Sequence, residues 1–109
     1  MKRKTRTLGA IEVTTFKLRG VTASSFIAAN AELDIWLKRQ PGFRSRHLAE
    51  QEDGTVLDML LWDSAAQGER SMERLLVEMH DSPVHAMIDQ RTVSWRIASV
   101  RHVIPADDP

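Results

Sequence analysis

The sequence predicts an α+β domain in which four strands form one antiparallel sheet and two helices pack on it, in the order β-α-β-β-α-β. Two observations point there first: period-two segments at 10–18, 43–50, 56–62 and 92–103, and apolar residues at helical spacing between the first and second strands and again between the third and fourth. A third is the Glu52-Asp53-Gly54-Thr55 stretch, which joins the middle strands as a hairpin. This order is the split-βαβ, ferredoxin-like arrangement.

In the first strand Glu12, Thr14, Phe16 and Leu18 alternate with Ile11, Val13, Thr15 and Lys17, and Gly20 ends it. Thr22 is placed to cap a helix from Ala23, whose stripe is Phe26, Ala29, Leu33, Trp36 and Leu37; Gln40-Pro41-Gly42 stops it. The second strand is Phe43 to Glu50. In the third, Val56 to Trp62, both parities are largely apolar: Val56, Leu60 and Trp62 on one, Leu57, Met59 and Leu61 on the other. Both faces of the sheet should therefore be covered. Asp63 or Ser64 caps the second helix, with Ala65, Met72, Leu75, Leu76 and Met79 as its apolar side. Ser82-Pro83 ends that helix and opens a short turn to Ile88. The last strand places Val93, Trp95, Ile97 and Ser99 on one side. Two helices cover only one face, so a second copy of the chain closing over the other would remove its apolar area from water, and Trp95 is expected at that interface.

The expected organisation is a basic, flexible N-terminus at 1–8, one domain at 9–104 and a flexible tail at 105–109. The chain has 109 residues with 15 basic and 15 acidic side chains. Residues 1–50 hold 10 basic and 4 acidic groups, against 5 and 11 in 51–109. The leading Lys2-Arg3-Lys4-Thr5-Arg6 run reads as a solubilising end, and no nucleic-acid partner is expected. No apolar run is long enough to span a bilayer, so no membrane partner is expected and a cytoplasmic location is the default. The absence of cysteine excludes disulfides, thiolate catalysis and cysteine-ligated metals. The glycines at 9, 20, 42, 54 and 68 form no phosphate loop, the four histidines have no metal-ligand spacing, and no cofactor is expected.

The stretches Phe16-Lys17-Leu18-Arg19-Gly20-Val21, Gln40-Pro41-Gly42-Phe43-Arg44-Ser45-Arg46 and Leu60-Leu61-Trp62-Asp63-Ser64, followed by the Ser82-Pro83 break, resemble in order and spacing the dimeric α/β-barrel superfamily and its branch related to the antibiotic biosynthesis monooxygenases. The resemblance spans about residues 9 to 104. It implies a homodimer with two sheets face to face, the end of one chain reaching onto its neighbour, and a cavity between sheet and helices. Members include cofactor-independent oxygenases of aromatic polyketides and haem-degrading monooxygenases. Against the haem-degrading pattern, the second helix has no internal tryptophan and Ile88 stands where the ligand histidine belongs, with His85 about one turn earlier. Against the polyketide pattern of asparagine, tryptophan and tyrosine, Asn30 is the only asparagine and tyrosine is absent.

The acid-base candidates are His85, in the turn after Pro83, and His47, in the second strand, because imidazole exchanges a proton near neutral pH. Asp58 shares parity with Val56, Leu60 and Trp62, where a buried charge needs a partner; Arg46 or His47 across the hairpin can provide it. Trp62 and Phe16 are candidate cavity walls, with Met59 and Met72 as adaptable lining. The function expected is a cofactor-independent monooxygenase acting on a small, flat, electron-rich aromatic such as a phenol, quinol or anthrone. The alternative is a non-catalytic binding or sensing protein that uses the same cavity.

Overall fold

The computed structural model describes residues 8–108, so most of the basic N-terminus and Pro109 lie outside the described residues. In chain order the elements are β1 (Ala10–Leu18), α1 (Ala23–Ala29), α2 (Ala31–Lys38), β2 (Phe43–Glu50), β3 (Val56–Trp62), α3 (Ala65–Glu78), a 3-10 turn (Pro83–Met87) and β4 (Ile88–Ser99). The strands pair in the order β2-β3-β1-β4, every pair antiparallel, which is the ferredoxin-like topology that the order of elements predicts.

The hairpin between β2 and β3 turns at Gly54, whose φ of 85° is accessible to glycine at little cost. Asp53 reinforces it by accepting from the Thr55 backbone amide at 2.9 Å. Thr22 caps α1 by accepting from the Ser25 amide, and Ser64, rather than Asp63, caps α3 by accepting from the Gln67 amide.

Three local expectations are corrected. The first helix is not continuous. It breaks at Asn30, whose buried Nδ2 donates to the Phe26 carbonyl at 2.7 Å, a side-chain bond that competes with the helical ladder. α3 buries Gly68 and Ser71 and leaves Leu76 62% exposed, so its inward side is turned from the stripe read from the larger apolar residues. The last strand spans 88–99 rather than 92–103 because its register with β1 runs from Leu18↔Ile88 to Ala10↔Ser99.

The helices lie on the face carrying Ala10, Glu12, Thr14 and Phe16 of β1. One core cluster, Ala10, Leu33, Leu37, Leu60 and Trp62, joins α2 to the sheet; the other, Phe16, Phe26, Val56 and Val84, joins α1 and the 3-10 turn to its far end. Gly68 permits the close approach of α3. A β-carbon there would collide with Ile97 Cδ1 and stand 3.0 Å from Trp62 Cδ1. Among the described residues no helix is long and apolar enough to cross a membrane.

Candidate functional site

Between the sheet and helices α2 and α3 lie two adjoining hollows of about 60 and 190 Å³. They share Thr14, Leu33, Arg46, Asp58, Met72 and Leu75 as lining. An apolar cavity of about 150 Å³ takes one benzene ring, so the larger hollow alone is of the size for a single aromatic ring. The smaller one ends on Trp62 and Glu12, the larger on Phe16, Phe26 and His85. Hydrocarbon dominates both, with a short polar strip contributed by β1, β2 and β3.

That strip begins at Arg46, whose side chain is only 8% exposed. Its Nε and Nη2 donate to the two oxygens of Asp58 at 3.0 and 2.8 Å, and its Nη1 donates to Asp34 of α2 at 2.8 Å. The planar guanidinium matches the carboxylate in a bidentate fork and ties helix to sheet. Burial acts to lower the Arg46 pKa, but the Asp58 and Asp34 carboxylates outweigh it and hold the group above its ordinary value.

Next to this pair, Glu12 is buried with both oxygens engaged. Oε1 accepts from the Trp62 indole at 2.8 Å and Oε2 from the Trp95 indole at 2.6 Å. Because β1 lies between β3 and β4, one carboxyl bridges tryptophans on strands to either side of it. Burial raises the Glu12 pKa and nearby Asp58 adds to the rise; the two indole bonds and Arg46 offset only part of it.

His85 borders the larger hollow from the 3-10 turn, and its Nε2 lies 2.8 Å from the Met79 carbonyl. A carbonyl only accepts, so Nε2 carries the proton of this bond and the lone pair of the neutral ring sits on Nδ1. Asp58, Trp62, Phe16, Met72 and His85 are thus gathered around one cleft. His47 and Met59 are not. They face one another across β2 and β3 on the opposite parity, His47 exposed, and neither lines the hollows. No Asp58–His47 pair forms, because neighbouring residues on a strand point to opposite faces and it is Arg46 that shares the face of Asp58.

Trp95 departs from the interface position expected of it, because its indole turns to Glu12 on the helix side of the sheet. Glu12 itself was missed as a site residue. The signal was present in its parity, which it shares with Phe16 and Leu18, but a carboxylate in that row reads as an ordinary strand charge until the two indoles are seen on it. Among the described residues no cluster of His, Asp and Glu is arranged to hold a metal ion.

No family model matches the chain, and no curated protein does. Solved structures do. SnoaB, a cofactor-independent oxygenase from Streptomyces nogalater, is 19% identical in its mutant structure, with a TM-score of 0.71 over 90% of this chain and 98% of that one. A monooxygenase from the gene ActVA-Orf6 of Streptomyces coelicolor, in complex with nanaomycin D, is 20% identical, with a TM-score of 0.63 over 94% and 95%. A Nitrosomonas europaea protein of unknown function is 6% identical, with a TM-score of 0.67 over 94% and 100%. The chain therefore has the ferredoxin-like fold of antibiotic biosynthesis monooxygenase-like proteins. At these identities the likeness is one of fold, and chemistry has to be argued from the cleft.

Proposed function

We propose that the protein is a cofactor-independent monooxygenase of a small, flat, electron-rich aromatic such as a quinol or anthrone, bound between sheet and helices. The observation that carries this reading is the cleft itself: an apolar chamber of ring size, walled by Phe16 and Met72, with the imidazole of His85 at its border. The tryptophan-walled hollow beside it extends the space available. That two structures of this fold carry the names of an oxygenase and a monooxygenase supports the same chemistry.

In this reading His85 Nδ1 takes a proton from the substrate, leaving an enolate or carbanion held by the apolar walls. The anion passes an electron to dioxygen, and the resulting pair joins in a carbon–oxygen bond. The peroxide formed takes the proton back from His85. Loss of a second substrate proton and cleavage of the oxygen–oxygen bond release water and leave a carbonyl, so a methylene and O₂ become a carbonyl and H₂O. Arg46, already paired with Asp58 and Asp34, holds the polar strip in place beside the substrate. The chain's contribution is orientation, exclusion of water and one base.

Oxygen uptake with a panel of quinols and anthrones tests the proposal. His85→Ala should lower kcat by about 10²-fold or more, the usual share of a general base, while His47→Ala should leave it unchanged. Full activity in His85→Ala removes histidine base catalysis. One observation favours the second reading, a binding or sensing protein: both oxygens of Glu12 and both of Asp58 are already taken by partners within the chain. A saturable thermal shift with aromatic metabolites and no oxygen consumption is what that reading expects.

The working form proposed is a homodimer in the cytoplasm. Ile11, Val13, Leu57, Met59 and Leu61 of the two central strands lie on the face turned from the helices, and a second copy would take their apolar surface out of water at roughly 25 cal/mol per Å². Ultracentrifugation at micromolar concentration should give twice the chain mass.

A further inference from the structure

We propose that Glu12 is a positioning residue: it fixes Trp95 as an aromatic wall on the β4 side of the cleft, against which a flat ligand stacks. The inference rests on reading the cleft as a ligand site. Trp95 stands opposite Thr14 in the β1–β4 ladder, and Thr14 lines both hollows. On the same face of β4, Val93 lines the larger hollow and Ile97 packs against the core cluster that contains Trp62. Trp95 thus lies between a residue of the cavity wall and a residue of the core.

The two indoles that Glu12 joins differ in what else restrains them. Trp62 is 1% exposed, makes an edge contact with Phe43 at a ring separation of 5.6 Å, and is closed over by α3 at Gly68. Packing therefore holds its ring in addition to the bond to Oε1. Trp95 is 38% exposed on an edge strand, so the 2.6 Å bond to Oε2 is its anchor; it lines neither hollow itself but stands beside Val93, which lines the larger one. Satisfying Trp62 needs only one acceptor oxygen, and a carboxylate offers a second that an amide does not. In Glu12→Gln the amide NH₂ would face an indole N–H, donor against donor, and the less restrained ring is the one to move. The charged groups acting on Glu12 are Asp58 of β3 and Arg46 of β2. Helices α2 and α3 face it with Leu33, Leu37, Ser71, Met72 and Leu75, none of them titratable.

The test begins with the indole N–H signals of the ligand-free protein in a ¹H–¹⁵N spectrum, assigned with Trp95→Phe. Glu12→Gln should move the Trp95 signal upfield and the Trp62 signal less; an unmoved Trp95 signal overturns the proposal. The second arm measures binding of anthraquinone and 1,4-naphthoquinone by fluorescence quenching. Trp95→Leu should weaken binding roughly threefold to tenfold, the range of an aromatic pair. Glu12→Gln should weaken it by a similar factor in the native background and not at all in Trp95→Phe, whose ring has no N–H to hold. In turnover of a quinol, Glu12→Gln should raise KM with little change in kcat, whereas a general structural lesion would lower both. Native binding that Trp95→Leu leaves intact overturns this inference and spares the cleft reading; no binding and no oxidation of any panel member overturns both.

Discussion

On the helix-covered face of the sheet the central strands carry Glu12, Thr14 and Asp58, with Arg46 beside them; on the face turned away, the same two strands carry Ile11, Val13, Leu57, Met59 and Leu61. The covered face also carries the core residues Ala10, Phe16, Val56, Leu60 and Trp62, so the departure from the usual division, charge to water and hydrocarbon to the core, is confined to this polar strip and to the apolar face left open. A buried charge costs several kcal/mol to desolvate and is kept only where it is paired. Under the helices such charge forms the short polar strip of a cleft otherwise lined by hydrocarbon. Hydrocarbon on the opposite face is the surface that the proposed second copy would cover.

The largest effect should come from breaking the covered face. Arg46→Ala leaves Asp58, whose side chain is 13% exposed, without its bidentate partner, and should cost about 3–5 kcal/mol of stability by urea denaturation. Asp58→Asn together with Arg46→Met should recover much of that loss, since the one carboxylate left without its partner, Asp34, is 45% exposed and stays solvated. The open face should answer differently. Met59→Glu should weaken association at least about tenfold, or roughly 1.4 kcal/mol, by sedimentation at micromolar concentration, while the secondary structure by circular dichroism is unchanged. A monomer in the native protein breaks the comparison at once.

A smaller and more diagnostic effect concerns Glu12. Its folded pKa is raised above the ordinary 4.5 chiefly by burial, so the stability linked to its neutral form is fully present below that value and is lost as pH rises through the folded pKa. Urea midpoints measured from about pH 4 to pH 7 should therefore fall relative to those of Glu12→Gln, whose side chain does not titrate. Equal slopes for the two proteins sink this assignment. Smallest of all is the exposed pair of Asp89 with Arg91, the latter 91% exposed. Arg91→Ala should leave the melting midpoint unchanged within error, in contrast to the same chemistry at Arg46.

Local period and turn chemistry account for the elements that were legible before the fold was known. Residues 10–18, 43–50 and 56–62 alternate as strands, Thr22 caps a helix, and Gly54 turns a hairpin, because each depends on neighbours within a few positions. Their order fixed the topology. Asp58, Trp62 and Phe16 were legible as cleft residues for a related reason: each lies on the parity that also carries large buried side chains. The choice between Arg46 and His47 as partner of Asp58 was not legible, since adjacent residues on a strand always face opposite ways and only the observed register puts Arg46 inside. Asn30 likewise reads as one more residue of a helix until its amide is seen on the Phe26 carbonyl, dividing that helix in two. Trp95 and Glu12 are 83 positions apart, and no local rule joins them. Tertiary structure decided that bond because β1 is central in the sheet, with β3 and β4 on either side, and one buried carboxyl there meets an indole from each.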